Sequence, residues 1–276
     1  MSFVLYPPAR PQSIGEVIDT AFRIFKVTLL RSLPYSVLAT VAGQLQNIYL
    51  IVTGRTLHRF ANNDPAWWLL YLLGAFSGAL FINTILIRQA ATASGLPSVG
   101  RAALVEGVRK TPAAIVMGLL IVLIVGVCFV PALVVPHAYQ ALSFFALCIP
   151  GLYVAVFFLC SWPALLIGRR GVIGSLQYSA NLIKGNWWRT VMIYTVAVTM
   201  IIVLSVTAGM IVGVLAAFGA ARDLAVTTAV SAVMVVASGA VYMPFITAMT
   251  LALYGDLQAR REGIDLERRI AGAPAG

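Results

Sequence analysis

Residues 171–189 read GVIGSLQYSANLIKGNWWR, a polar segment set between two long apolar runs. Within it Leu176, Ala180 and Ile183 recur at helical spacing. Lys184-Gly185-Asn186 interrupts that pattern, and Trp187, Trp188 and Arg189 then stand at the head of the next apolar run. A short amphipathic helix, a turn and an aromatic and cationic anchor, in that order, suit a chain that rests on a bilayer surface before crossing it. The fold class this predicts is all-α and polytopic.

Composition points the same way. Of 276 residues, 61% are hydrophobic and 10% charged, whereas charged residues make up roughly a quarter of a soluble domain. So little polar surface cannot cover a water-soluble globule, and the solvent must be largely lipid. The formal net charge of +10 would suggest nucleic acid in a soluble protein. Here the cations flank apolar runs, so orientation and anionic lipid explain them, and nucleic acid is excluded as a partner. Cys128, Cys148 and Cys160 all fall inside apolar runs without CxxC spacing, which predicts packing residues and no disulfide or metal site. Charges spread over residues 1–32 argue against a cleaved signal peptide. Arginine far outnumbers lysine, and alanine and valine abound, as in a GC-rich bacterial genome.

Six apolar runs, at about 33–53, 66–87, 113–135, 141–167, 190–218 and 224–254, each reach the roughly 20 residues that a spanning helix needs. The predicted domains are an N-terminal segment over 1–32, a six-helix transmembrane domain over 33–254 and a C-terminal tail over 255–276. Bends are expected at Pro34, Pro150-Gly151, Trp162-Pro163 and Pro244. With both termini in the cytoplasm, the inner segments hold 16 of the 19 basic residues, leaving Arg55, Arg59 and Arg222 outside. The positive-inside rule therefore predicts a bacterial cytoplasmic membrane protein with both termini cytoplasmic.

The inner segments repeat one pattern. Ser13-Ile14-Gly15-Glu16 is a capping box, followed by Val17, Ile18, Ala21, Phe22 and Phe25 at helical spacing. Ser98-Val99-Gly100 leads a similar stretch ending Arg109-Lys110, and residues 171–184 form a weaker third. Each precedes two apolar runs, so the chain reads as three units of cytoplasmic amphipathic helix plus membrane hairpin.

No Asp, Glu, Lys or Arg falls in the middle of a run, which argues against a pump or an intramembrane protease. Gln44, Gln46, Asn47 and Asn83 are the strongest buried polar candidates within the first two runs. Interhelical hydrogen bonds are the ordinary role for such amides, and a ligand-lined cavity near Gln44, Asn47 and Asn83 is the alternative. Gly74 with Gly78, and Gly209 with Gly213, have GxxxG spacing suited to close packing within the bundle. His58 and His137 stand in outer loops without further metal ligands. Arg23, Lys26, Lys184, Trp187, Trp188, Arg189, Arg260 and Arg261 are the candidate contacts to the membrane interface and to lipid headgroups. No catalytic, cofactor-binding or metal-binding set emerges.

Three landmarks together, S-x-G-E-x-x-D-x-A-F-R-x-F from Ser13, G-N-W-W-R from Gly185, and L-Y-x-D-L-x-x-R-R-E-G-x-D-L-E from Leu253, resemble bacterial proteins related to the membrane domain of glycerophosphoryl diester phosphodiesterases. Some members of that family join the domain to a cytoplasmic catalytic barrel, and many stand alone. The resemblance implies the stand-alone form: a barrel of about 250 residues has no room here, and His58-Arg59-Phe60 departs from the His-Arg-Gly of that active site. The expected function is a non-enzymatic scaffold, accessory or lipid-engaging protein. Its partners would be the phospholipid bilayer, anionic headgroups at the cytoplasmic face, and a membrane-protein partner or second copy. The alternative is a transporter of small molecules or lipid.

Overall fold

A computed structural model describes residues 5–53, 64–97, 100–133, 135–136, 139–217 and 224–272. His58, His137, the Ser98-Val99 cap and the cations Arg55, Arg59 and Arg222 lie outside the described residues. The helices are α1 (Ile14–Ala42), α2 (Leu45–Val52), α3 (Pro65–Ala93), α4 (Gly100–Val127), α5 (Gln140–Val156), α6 (Ser161–Leu166), α7 (Val172–Ile183), α8 (Trp187–Ala217) and α9 (Leu224–Gly272), with a 3-10 turn at Val130–Leu133. Among the described residues there is no strand. Six helices are long and apolar enough to cross a membrane: α1, α3, α4, the α5–α6 pair over Leu142–Leu166, α8, and Val230–Arg261 of α9. The chain is an all-α, multi-pass membrane protein.

The first span differs from its expected limits. The Ser13 capping box forms in both directions, with Ser13 N–H donating to Glu16 Oε2 at 2.6 Å and Glu16 N–H to Ser13 Oγ at 3.3 Å. From there α1 runs unbroken through Pro34, and the interruption comes at Gly43-Gln44. Pro34 has no N–H to give the Leu30 carbonyl; in the same turn Arg88 of α3 donates from Nη1 to the Arg31 carbonyl at 2.9 Å. In α4 likewise, the segment around Arg109-Lys110 continues through Pro112 into the span. Only the third surface segment is a separate helix, because Lys184 leaves helical geometry and Gly185 turns at φ +89°, where a β-carbon would be strained.

One face of α1 carries Val17, Ala21, Ile24, Thr28, Ser32, Ser36 and Thr40, all buried and all three or four residues apart. This stripe packs on α9 and α3. Its inner half joins Phe245, Met249, Leu253 and Tyr254 of α9 in the main core. Of the two surfaces open to this amphipathic stretch, the membrane face and the protein itself, its apolar side takes the protein, leaving Asp19, Arg23 and Lys26 outward. Large apolar side chains on α5 and α8, among them Phe145, Ile149, Ile202 and Met210, stay exposed. In lipid such exposure carries no penalty, because hydrocarbon solvates them.

Lipid cannot hydrogen-bond a backbone group that a proline leaves without a partner, so a neighbouring helix must. Pro244 deprives the Ala240 carbonyl of its donor, and Ser36 Oγ supplies one at 2.9 Å. Gln89 of α3, fully buried, donates from Nε2 to the Pro244 carbonyl at 2.8 Å. The fourth span breaks at Phe157–Cys160 rather than at Pro150, and Pro163 sits in the first turn of α6, where its missing N–H is harmless. Ser179 of α7 bridges that break, accepting from Cys160 N–H at 3.1 Å and donating to the Phe157 carbonyl at 2.6 Å.

Among the four glycines with GxxxG spacing, Gly74 meets the Ala42 carbonyl, whereas Gly78, Gly209 and Gly213 face open space. A tighter approach occurs at Gly239, where a β-carbon would collide with Thr40. Gly239→Ala should therefore destabilise the fold by about 1–3 kcal/mol, the usual range for overpacking. Thermal unfolding in mild detergent would measure this, and Thr40→Ala in the same chain should recover most of the loss.

Candidate functional site

Most of the described charged residues gather at one end of the bundle, where residues 5–13 lie against the end of α9. Leu5 and Tyr6 N–H groups both reach the Ala93 carbonyl, at 2.7 and 3.1 Å, at the end of α3. The Gln12 N–H donates to Asp256 Oδ1 at 2.7 Å, which puts both ends of the described chain on the same side. Asp256 is fully buried. Its Oδ2 accepts from Arg189 Nε and from Arg260 Nε, each at 3.1 Å. Both guanidinium groups also donate to the Gln12 carbonyl, Arg260 Nη2 at 2.6 Å. One carboxylate and one peptide group thus bind two arginines, joining the N-terminal strap, α8 and α9. Asp256, Arg260 and the apolar residues Met249 and Leu253 follow each other at steps of four, three and four, so the carboxylate stands on the buried stripe of α9.

Beside this clamp, Gln258 Oε1 accepts from Tyr6 Oη at 3.1 Å, and its Nε2 donates to Tyr254 Oη at 3.1 Å and Tyr178 Oη at 3.3 Å. Arg170 stacks on the Tyr178 ring at 3.6 Å, and Arg261 lies 5.7 Å from its centroid. Next to this cluster a groove of about 1010 Å³ opens between the end of α3, the first half of α4, the end of α6 and the 167–172 turn. Arg109, Lys110, Arg169 and Arg170 line it, with Glu106 as the single carboxylate.

The residues expected at the membrane interface divide into two groups. Arg189 and Arg260 point inward to Asp256. Arg23, Lys26, Lys184, Trp188 and Arg261 are exposed at the charged end, with Arg23 paired to Asp19 at 2.8 Å. Such a surface pair contributes little. Trp187 lies between them in exposure: its Nε1 donates to the Tyr153 carbonyl at 3.1 Å, and its ring meets those of Tyr153 and Trp188. That carbonyl lies in the last turn of α5, where backbone acceptors lack helix donors.

The intramembrane amides do not converge. Asn83 is buried and ties three helices together, donating to Thr111 Oγ1 at 3.1 Å and accepting from Trp162 Nε1 at 2.8 Å. Asn47 donates to Gln44 Oε1 at 2.8 Å on the exposed side of α2. Gln44 borders an apolar groove of about 330 Å³ between α1, α2 and α9 that includes neither Asn47 nor Asn83. Among the described residues no group of three or more His, Cys, Asp or Glu could hold a metal.

Asp256, Gln12, Gln89 and the groove cations Arg109, Lys110, Arg169 and Arg170 are not among the site residues expected from sequence. The heptad-like placement of Asp256 among apolar residues was the available signal for the first, and the doubled arginine of Gly168-Arg169-Arg170-Gly171 for the last. No family model matches the chain, and no curated protein or solved structure matches it.

Asp256→Asn should leave two arginines undercompensated in a buried setting, at a cost of about 3 kcal/mol or more. Replacing Asp256, Arg189 and Arg260 together by Leu, Met and Met should recover much of that stability. Melting temperatures of the purified variants would check both outcomes.

Proposed function

We propose that this is a non-enzymatic protein of the bacterial cytoplasmic membrane, both termini cytoplasmic, which acts as a scaffold or accessory subunit and engages anionic lipid at its basic end. The observation that carries this reading is a division of labour among polar groups. Asn83, Gln89, Ser36 and Ser179 each bond to a neighbouring helix within the bundle, so they serve cohesion. The cations at the charged end include Lys26, Arg109, Arg169 and Lys184, all exposed, and exposed cations beside a membrane attract acidic headgroups at about 1 kcal/mol each. Kinship with the stand-alone relatives of the phosphodiesterase membrane domain belongs to the same proposal. Transport through a space lined by Gln44, Asn47 and Asn83 has less support, because the groove that Gln44 borders includes neither Asn47 nor Asn83.

Two measurements test this reading. A cysteine placed at Asn62, with the native cysteines replaced by alanine, should react with an impermeant maleimide added outside intact cells; protection there would reverse the orientation. Protein purified in mild detergent should retain anionic phospholipid enriched over its share of the membrane. Retained lipid of unselected composition would count against lipid engagement.

A further inference from the structure

We propose that the groove between α3, α4, α6 and the 167–172 turn is a binding site for the phosphate headgroup of an anionic membrane phospholipid, a site that rests on the lipid-engaging reading and narrows it to one place.

The four cations of the groove are not equivalent. Lys110 donates to the Leu166 carbonyl at 2.7 Å, where it complements the end of α6, and it faces Glu106 at 3.4 Å. Lysine and glutamate therefore answer each other. Arg109, Arg169 and Arg170 form no ion pair among the described residues. Arg170 is held by its face on the Tyr178 ring, which leaves the N–H edge of the fork for a ligand. A planar guanidinium matches two oxygens of a phosphate, so arginine is the side chain suited to this anion.

Arg169 adds an independent observation. Its φ is +50°, the only positive value at a non-glycine among the described residues. The left-handed conformation is sterically unfavourable for a residue with a β-carbon. Glycine would remove that cost, and glycines flank the pair on both sides, at 168 and 171. No hydrogen bond or ion pair of Arg169 within the described residues offsets the strain. A strained cation on the wall of a groove is the pattern of a position kept for a ligand.

The remaining walls indicate what else the ligand carries. Ile87, Ala113 and Leu165 line the groove beside the cations, and Leu96, also part of its lining, is 62% exposed. The volume is at the upper limit of ordinary small-molecule sites, roughly 300–1,000 Å³, and is far more than a bare anion fills. The groove opens at the end of the bundle that bears Trp188, the level at which headgroups lie. An anionic head with an apolar body answers both kinds of wall.

The test uses the full chain in mild detergent and four probes: short-chain phosphatidylglycerol, short-chain phosphatidylcholine, glycerophosphate and inorganic phosphate. Intrinsic tryptophan fluorescence and melting temperature are read for the wild type, for Arg169→Gly, for Arg109→Gln, and for a control, Arg10→Gln, at a cation outside the groove that is paired with Glu16 at 2.9 Å. The wild type should bind phosphatidylglycerol in preference to the other three. Arg169→Gly should weaken that binding about tenfold, the loss of one charge-assisted contact, while its melting temperature without ligand stays level or rises as the strain is relieved. Arg109→Gln should weaken binding similarly, and the control should not.

Equal loss in control and groove variants, or none in the groove variants, would overturn the site while leaving lipid engagement standing. Failure of the wild type to prefer phosphatidylglycerol over phosphatidylcholine would overturn both. Equal affinity for inorganic phosphate or glycerophosphate would overturn the lipid assignment in favour of a free-anion site.

Discussion

The buried carboxylate of Asp256 is the constraint on which the charged end of the molecule depends. An unpaired charge removed from water costs several kcal/mol, so every oxygen must be answered, and the answers come from three separate stretches of chain. Gln12 offers its N–H to one oxygen, and Arg189 and Arg260 share the other. The Gln12 carbonyl then accepts from both arginines, which uses the opposite side of the same residue's backbone. Once these bonds are made, the position of the N-terminal strap is set, and with it that of Tyr6 beside Gln258 and of Pro8 against Gly255. The polar network and the apolar core of Phe245, Met249 and Leu253 are successive turns of one helix, so charge pairing and packing hold the same element.

Farther into the membrane the governing problem changes from charge to orphaned backbone. Each proline in a span frees a carbonyl that lipid cannot satisfy. Ser36 meets this need at the Ala240 carbonyl that Pro244 orphans, while Gln89, Arg88 and Ser179 donate to further carbonyls beside the irregular turns, those of Pro244, Arg31 and Phe157. Each donor comes from a different helix than its acceptor. Defects in one helix therefore become the specific contacts between two, and they supply direction where apolar packing alone has none.

Spans, charge asymmetry and the Ser13 capping box were legible in the sequence because each depends on local composition or on residues three apart. Asn83 was legible as an interhelical contact for the same reason: an amide in hydrocarbon needs a partner. What could not be read were choices made by distant chain. Residues 14–31 have enough charge to look like a separate surface helix, yet Val17, Ala21 and Ile24 are buried against α9, and the same helix runs on unbroken to Ala42. Arg189 and Arg260 look like headgroup ligands until Asp256 is seen beside them. The groove cations come from α4 and from the turn after α6, about sixty residues apart, and no local pattern brings them together.

The Asp256 clamp also sets an order in time. Gln12 and Asp256 are 244 residues apart, and a ribosome adding about 5–20 residues per second needs roughly 10–50 s to cover that distance. Through that interval the Thr28, Ser32, Ser36 and Thr40 stripe of α1 lacks its α9 partner, and Arg189 has no counterion on α9. A nascent chain of this design is incomplete until its last helix arrives, so quality control in the membrane has a long window in which truncated or stalled products are chemically distinct from finished ones.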